Sequence, residues 1–375
     1  MHHEMSPERF LEMSADISYR LSGRAFDPRT LLDLILEDAV ACPCSESILI
    51  HAIAVVVAGY GDSRRRMGPL AAIHPLRVAA ILSRVTRDPT VMDLLAALLH
   101  DRDEDLTRDE IGEERWTEMQ AKMSALVQNL DERHCWYLGE RLDILTLREG
   151  QDYCQYLANL MGHAGRMPDL IRVKLADRLD NTLDVGVSHH GIPSMGVFGT
   201  VFDLLFLPDF QGIPAPDSYV PITEEEGVQM LANLFKNSAF LSLLRSEHCQ
   251  MEGTTRRLYN TLVRASTRIA QYLVQDTFAT AVDIDEQRAI TQKVLDYCRS
   301  GGLTAVRPGK DHSLDGMFLE IYGSKKGRRD RLKALFADKS HLGAVALVFV
   351  AVFSNFLANP AYTIQGISAT GVRES

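Results

Sequence analysis

Residues 88–105 run DPTVMDLLAALLHDRDED. Asp88 reads as an N-cap and Pro89 as the first helical position. The helix they open is almost wholly apolar until His100, which predicts a buried helix. Helical spacing continues on both sides. Leu31, Leu32, Ile35, Leu36 and Ala39 fall on one face, and Thr107 to Glu110 reads as a capping box opening a helix towards Leu130. His74 precedes Pro75, which puts His74 at another helix mouth. Further helices are expected over 151–162, 168–185, 224–245, 254–275 and 285–299, the third opened by a capping box from Thr223 to Glu226. Strand signals are scarce, and the expected fold class is all-α.

The 375 residues are 46% apolar and 24% charged, with a formal net charge of −10. That composition excludes a disordered, collagen-like or low-complexity chain. The acidic balance (pI about 5.7) argues against non-specific binding to DNA or anionic lipid. Six cysteines are too few for a disulfide scaffold, and Cys42-Pro43-Cys44 has no second pair at zinc-finger spacing. The N-terminus has no apolar h-region, so a cytoplasmic location is expected. Leu342 to Phe353 is an uncharged apolar run of twelve residues, shorter than the roughly 20 a membrane span needs, which predicts a buried core helix. Residues 191–222 are rich in Pro and Gly and predict a connection between a domain over 1–190 and a helical C-terminal domain over 223–375. No internal repeat is visible.

The chemistry concentrates in four segments of the first half: Arg64 to Gly68, Ile73 to Ala79, Leu98 to Asp105, and Val173 to Asn181. His100 and Asp101 end an apolar helix, where such groups are costly unless paired or bound to metal. Asp101, Asp103, Glu104 and Asp105 fall within five residues, and a divalent ion would relieve their repulsion. Asp177 and Asn181 lie one helical turn apart on one side of a helix. Two His and two Asp from separate helices would form a mixed N/O site suited to Mn²⁺, Fe²⁺, Zn²⁺ or Mg²⁺.

The order H…HD…D resembles the HD superfamily of metal-dependent phosphohydrolases. In finer detail the chain is similar to the hydrolase domain of RelA/SpoT-type (p)ppGpp enzymes and their small single-domain relatives. Those carry R-K-x-G before H-P-x-x-V-A, then L-L-H-D-x-x-E-D-T, then K-L-A-D-R-x-x-N. Here the segments are Arg65-Arg66-Met67-Gly68, His74 to Ala79, Leu98 to Asp105, and Lys174 to Asn181, and the match spans about 47–185. The resemblance implies an HD-domain helical bundle with His74, His100, Asp101 and Asp177 as metal ligands and Mn²⁺ as the usual ion. It implies catalytic roles for Glu104 and Asp105 beside the attacking water. Arg65 would lie against the guanine base and Asn181 near the sugar or phosphate of a guanosine nucleotide substrate. The reaction implied is hydrolysis of the 3′-diphosphate to GDP or GTP plus pyrophosphate.

The chain departs from that pattern at several places. Tyr60 stands where the family has a His, Met67 where it has a small residue, and Ala71 where it has an aromatic. Leu106 breaks E-D-T, and the usual L-H-N becomes Leu179-Asp180-Asn181. The metal ligands are untouched. Asp180, if it faces inward, adds negative charge beside a polyanion. Two alternatives stay open: an HD phosphohydrolase acting on another nucleotide or phosphoester, and a non-catalytic nucleotide sensor whose C-terminal half binds a protein partner. In that half, Lys325, Lys326, Arg328, Arg329, Arg331 and Lys333 form a basic cluster, read as a solvated helix start or a contact for a phosphate-bearing or acidic partner. His189-His190 reads as incidental.

Overall fold

The computed structural model describes residues 5–372 except 23–26, 38–42, 66–68, 87–88, 149, 187–219, 248, 250, 281, 303–305, 307–313, 323–326 and 369. Cys42, Ala39, Asp88, His189-His190 and most of the Pro/Gly-rich connection therefore lie outside the described residues. The described residues are almost wholly helical, the all-α class expected. They divide into two compact units. One comprises Met1–Gln151, Asn159–Leu183 and Gln250–Thr261; the other comprises Asp152–Ala158, Asp184–Cys249 and Leu262–Ser375.

In the first unit the early helices are α1 (Pro7–Ser22), α2 (Pro28–Leu36), α3 (Pro43–Tyr60), α4 (Ile73–Val85) and α5 (Val91–Leu99). They are followed by α6 (Arg102–Asp105), α7 (Arg108–Ile111), α8 (Glu113–Gln128), α9 (Glu132–Leu145), the end of α10 (Tyr153–Ala164) and most of α11 (Pro168–Gly186). Helix α4 is buried from Ile73 to Ser83 and packs against α1, α2 and α5; α5 in turn packs on α3 and α9. The predicted face of α2 is seen in Leu31, Leu32, Ile35 and Leu36, all buried.

Three helix starts differ from the sequence reading. Thr90, not Asp88, caps α5: its hydroxyl accepts from the Asp93 N–H at 3.1 Å while the Asp93 carboxylate accepts from the Thr90 N–H at 2.9 Å. That reciprocal pair satisfies two N–H groups left open at a helix start. Thr107 caps only the short α7, because Gly112 turns the chain with φ 79° before α8 begins. Helix α4 starts at Ile73, so His74 lies within its first turn, and Pro75 occupies a position whose missing N–H costs nothing. A close approach then shapes the ground beside α6: a Cβ on Gly59 would lie 2.5 Å from Leu106 Cδ1, so glycine lets the end of α6 sit against α3.

The second unit contains α12 (Glu224–Ser246), most of α13 (Gly253–Thr280), α14 (Ile284–Arg299), α15 (Met317–Tyr322), α16 (Arg328–Ala337) and α17 (Lys339–Ala358). A short antiparallel pair follows, β1 (Ile367–Ser368) with β2 (Gly371–Val372). The expected capping box opens α12 at Thr223 and Glu226. Helix α17 is long and apolar enough to cross a membrane, yet Leu342, Val345, Phe349, Phe353 and Phe356 are fully buried in this unit. Phe349 meets Phe235 edge-on at 4.9 Å and stacks with Phe353 at 5.9 Å. The described cations of the basic cluster are partly paired within the same unit, Arg329 with Glu225 and Lys333 with Glu224 at 2.7 Å. Lys325 and Lys326 lie outside the described residues.

The α12–α16 contact depends on Gly227, where an added Cβ would fall 1.9 Å from Phe336 Cε2. Alanine for glycine in a helix ordinarily stabilises by about 1 kcal/mol. Here overpacking reverses the sign, and Gly227→Ala should lower stability by about 1–3 kcal/mol in thermal or denaturant unfolding. Adding Phe336→Leu should recover part of that loss.

Candidate metal centre

The centre is built from α4, the end of α5 and α11. His100 extends α5 by one helical residue (φ −58°, ψ −34°), and Asp101 then leaves the helix (φ −96°, ψ 4°) before α6 restarts. That break turns two consecutive side chains towards one point. His74 Nε2 lies 3.2 Å from Asp101 Oδ2 and 3.3 Å from Asp177 Oδ1. His100 Nε2 lies 3.2 Å from Asp101 Oδ1 and 3.8 Å from Asp177 Oδ1. Ligand atoms of His74, His100 and Asp101 all lie within 4.8 Å of one another, a spacing that could hold a metal ion. The structure thus brings together all four residues that the sequence marked as ligands.

The imidazole orientations fit a cation. His100 donates Nδ1–H to the Ala97 carbonyl at 2.8 Å, so Nε2 is the nitrogen that can offer a lone pair to a cation. That Nε2 is buried and makes no hydrogen bond among the described residues. His74 Nδ1 faces Asp180 Oδ2 at 2.6 Å, so its Nε2 also points into the cluster. Two imidazole nitrogens and two carboxylates form an N/O donor set acceptable to several divalent ions, and the set alone does not choose among them.

The acidic run after Asp101 divides its tasks. Asp103 turns out to the surface and pairs with Arg102 at 2.7 Å, so it takes no part in the cluster. Glu104 accepts the Leu147 N–H at 2.6 Å, and Asp105, exposed, accepts the Tyr60 hydroxyl at 3.0 Å. Burial and then the Asp101 charge push the Glu104 carboxyl up to about 7, against the Leu147 N–H and Lys174. Burial and the charges of Asp101 and Asp105 raise the Tyr60 phenol well above its usual value, so it remains a donor.

Arg65 and Asn181 hold each other beside the ligands. Arg65 donates to Asp180 Oδ2 at 3.1 Å and to Asn181 Oδ1 at 2.7 Å. The Asn181 amide donates in turn to Asp177 Oδ1 at 2.6 Å. Arg66, Met67 and Gly68 lie outside the described residues. The sequence reading assigns no role to Arg77 and sees Tyr60 and Asp180 only as departures. Arg77 grips Asp180 through Nε (2.6 Å) and a second nitrogen (3.0 Å), and Lys174 Nζ lies 2.8 Å from Asp177 Oδ2. The one available signal was spacing: Lys174, Asp177 and Asp180 recur every three residues on α11, and His74 and Arg77 are three apart on α4.

Without a cation, protons hold the cluster together. Burial and Arg65 push His74 down, but hydrogen bonds to Asp101, Asp177 and Asp180 outweigh them and lift it to about 9. His100 is raised well above its usual value in spite of burial, through Asp101 and Asp177. A group raised on folding contributes stability that is complete below its unfolded pKa, about 6.5 for histidine, and lost as pH climbs through the folded value. In EDTA the melting temperature should therefore fall between pH 6.5 and 9.5. Excess Mn²⁺ should raise the melting temperature and flatten that fall, because the imidazoles must shed their protons to bind metal. A melting temperature in EDTA that stays level across this window would contradict the protonated cluster.

No protein-family model matches the chain, and no curated protein matches it.

Proposed function

We propose that the first unit is a metal-dependent phosphohydrolase of the HD type, with the 3′-diphosphate of a guanosine alarmone as substrate and GDP or GTP plus pyrophosphate as products. The observation that carries this reading is the convergence of the His74, His100, Asp101 and Asp177 side chains in one buried cluster, with both Nε2 atoms facing carboxylate oxygens, and with Glu104 and Asp105 next along the chain. When bound, a divalent ion, Mn²⁺ on the family resemblance, polarises a phosphoryl oxygen and makes nearby water more acidic. His74, His100, Asp101 and Asp177 would hold it.

The remaining work falls to the chain's own side chains. Water adds to the 3′-linked phosphorus, the bond from that phosphorus to the 3′ oxygen breaks, and pyrophosphate leaves. One proton must come off the water, and one must reach the 3′ oxygen. Glu104, poised at about 7, can carry a proton in either direction near neutrality. Tyr60, by donating to Asp105, fixes the second carboxylate at the solvent-facing edge. Arg65 is the cation suited to an anionic or planar group of the substrate.

One observation favours a second reading of the substrate. Arg65 and Asn181 are already bonded to each other and to Asp180 and Asp177, so the residues expected to receive the nucleotide are spoken for by the protein. The same chemistry on a different nucleotide or phosphoester fits that arrangement.

Incubation of the purified protein with Mn²⁺ and ppGpp should release pyrophosphate, and EDTA should stop it. Asp101→Ala should lose both turnover and retained metal; turnover without Asp101 would sink the proposal. No release from a metal-loaded protein moves the substrate to the second reading, tested on a panel of nucleotides. Glu104→Gln should lower kcat by about 10²–10⁴-fold with metal still retained, which separates proton transfer from metal binding. Tyr60→Phe, which removes only the hydroxyl, should lower kcat more than it raises KM.

A further inference from the structure

A histidine can present Nε2 to a metal only if Nδ1 keeps its proton, and that proton needs an acceptor. For His100 the acceptor is the Ala97 carbonyl. For His74 it is Asp180 Oδ2 at 2.6 Å. Asp180 is fully buried, and a lone carboxylate there would be costly. Two guanidinium groups offset that cost. Arg77 donates to both of its oxygens and Arg65 to one. Arg77 is fixed from behind by a hydrogen bond to Ser14 at 2.9 Å and by its position over the Phe10 ring, 5.0 Å from the centroid.

The spacing makes this a two-helix clamp. Helix α4 offers His74 and Arg77, three apart; α11 offers Asp177 and Asp180, also three apart and so on one face. Asp177 reaches the Nε2 side of the imidazole while Asp180 takes the Nδ1 side. Arg77 then closes the pair by gripping Asp180 from the helix that carries His74.

We propose that Asp180, held by Arg77, is a positioning residue for the metal site: it fixes His74 as the Nδ1–H tautomer with Nε2 aimed at the cation, and it thereby sets metal affinity. The inference rests on the metal-site reading above.

The test uses the full chain and Co²⁺, whose visible spectrum reports ligand geometry. Asp180→Asn should weaken Co²⁺ binding by about 10–100-fold and change the spectrum. Because that variant removes the carboxylate charge that Arg77 grips, the double variant Arg77→Met/Asp180→Leu is made beside it, replacing both partners by apolar groups. The double variant should also bind Co²⁺ about 10–100-fold more weakly. Wild-type affinity and an unchanged spectrum in the double variant would show Asp180 to be structural only, and would overturn the proposal while leaving the metal site intact. Failure of the wild type itself to bind Co²⁺ would overturn the metal-site reading and this inference with it. Nitrogen NMR of the Zn²⁺-loaded wild type gives a readout that needs no variant: it should show His74 protonated at Nδ1, and a proton on Nε2 would overturn the proposal.

Discussion

The buried imidazole of His74, gripped at both nitrogens, is the constraint around which the first unit is arranged. Asp101 and Asp177 face its Nε2, and Asp180 faces its Nδ1. Those partners come from the α5–α6 break and from α11, so one ring ties α4 to both. A side chain so placed cannot move without exposing or stranding several charges in an apolar interior, where Leu76, Val78 and Ala79 of α4 and Leu175 of α11 are fully buried. Apolar packing brings the helices together. The polar cluster then specifies their register, because a shift of one residue on either helix would take His74 and Arg77 out of reach of Asp177 and Asp180.

Charge explains how so many buried acidic groups sit together. Asp177 is held well below the usual carboxylate range, against burial, by Lys174 and the two imidazoles. Asp180 is held low, against burial, by Arg77, then His74 and Arg65. The carboxylates facing the cluster are thus held ionised. Glu104, by contrast, keeps its proton to about 7, and burial and the Asp101 charge raise Asp105 as well. On the proposed reading, these two populations of carboxylate, one held ionised and one poised, would divide the work between ligands and proton carriers.

The helices were legible because their signals are local. Thr223 and Glu226 announce α12 by a box that closes within one turn, and the face of α2 follows from spacing alone. His100 and Asp101 were legible because two polar groups ending LLAALL are costly in a core, whatever surrounds them. Gly112 was harder: a single glycine in a polar stretch does not disclose that φ will turn positive there and divide the helix. Asp180 and Arg77 were illegible for a different reason. Their pairing spans 103 residues, and each alone reads as an ordinary helix charge. Asp103, Glu104 and Asp105 look alike in sequence; Asp103 turns to its neighbour Arg102, while distant partners, the Leu147 N–H and Tyr60, take the other two.

That pairing also reverses one consequence drawn from the sequence. Asp180 does face inward, but its charge is spent on Arg77, Arg65 and His74, so it presents no net repulsion to an approaching anion. Repulsion would come instead from Asp101 and Asp105, the more exposed carboxylates of the cluster. A polyphosphate meeting those groups needs their charge offset first, and at pH above the titration of His74 the protein's own protons no longer do it. On the proposed reading, then, cation and substrate are linked. The ion that fills the His and Asp cluster also makes the site electrostatically acceptable to a phosphate, so metal binding comes before substrate binding and is strengthened by it.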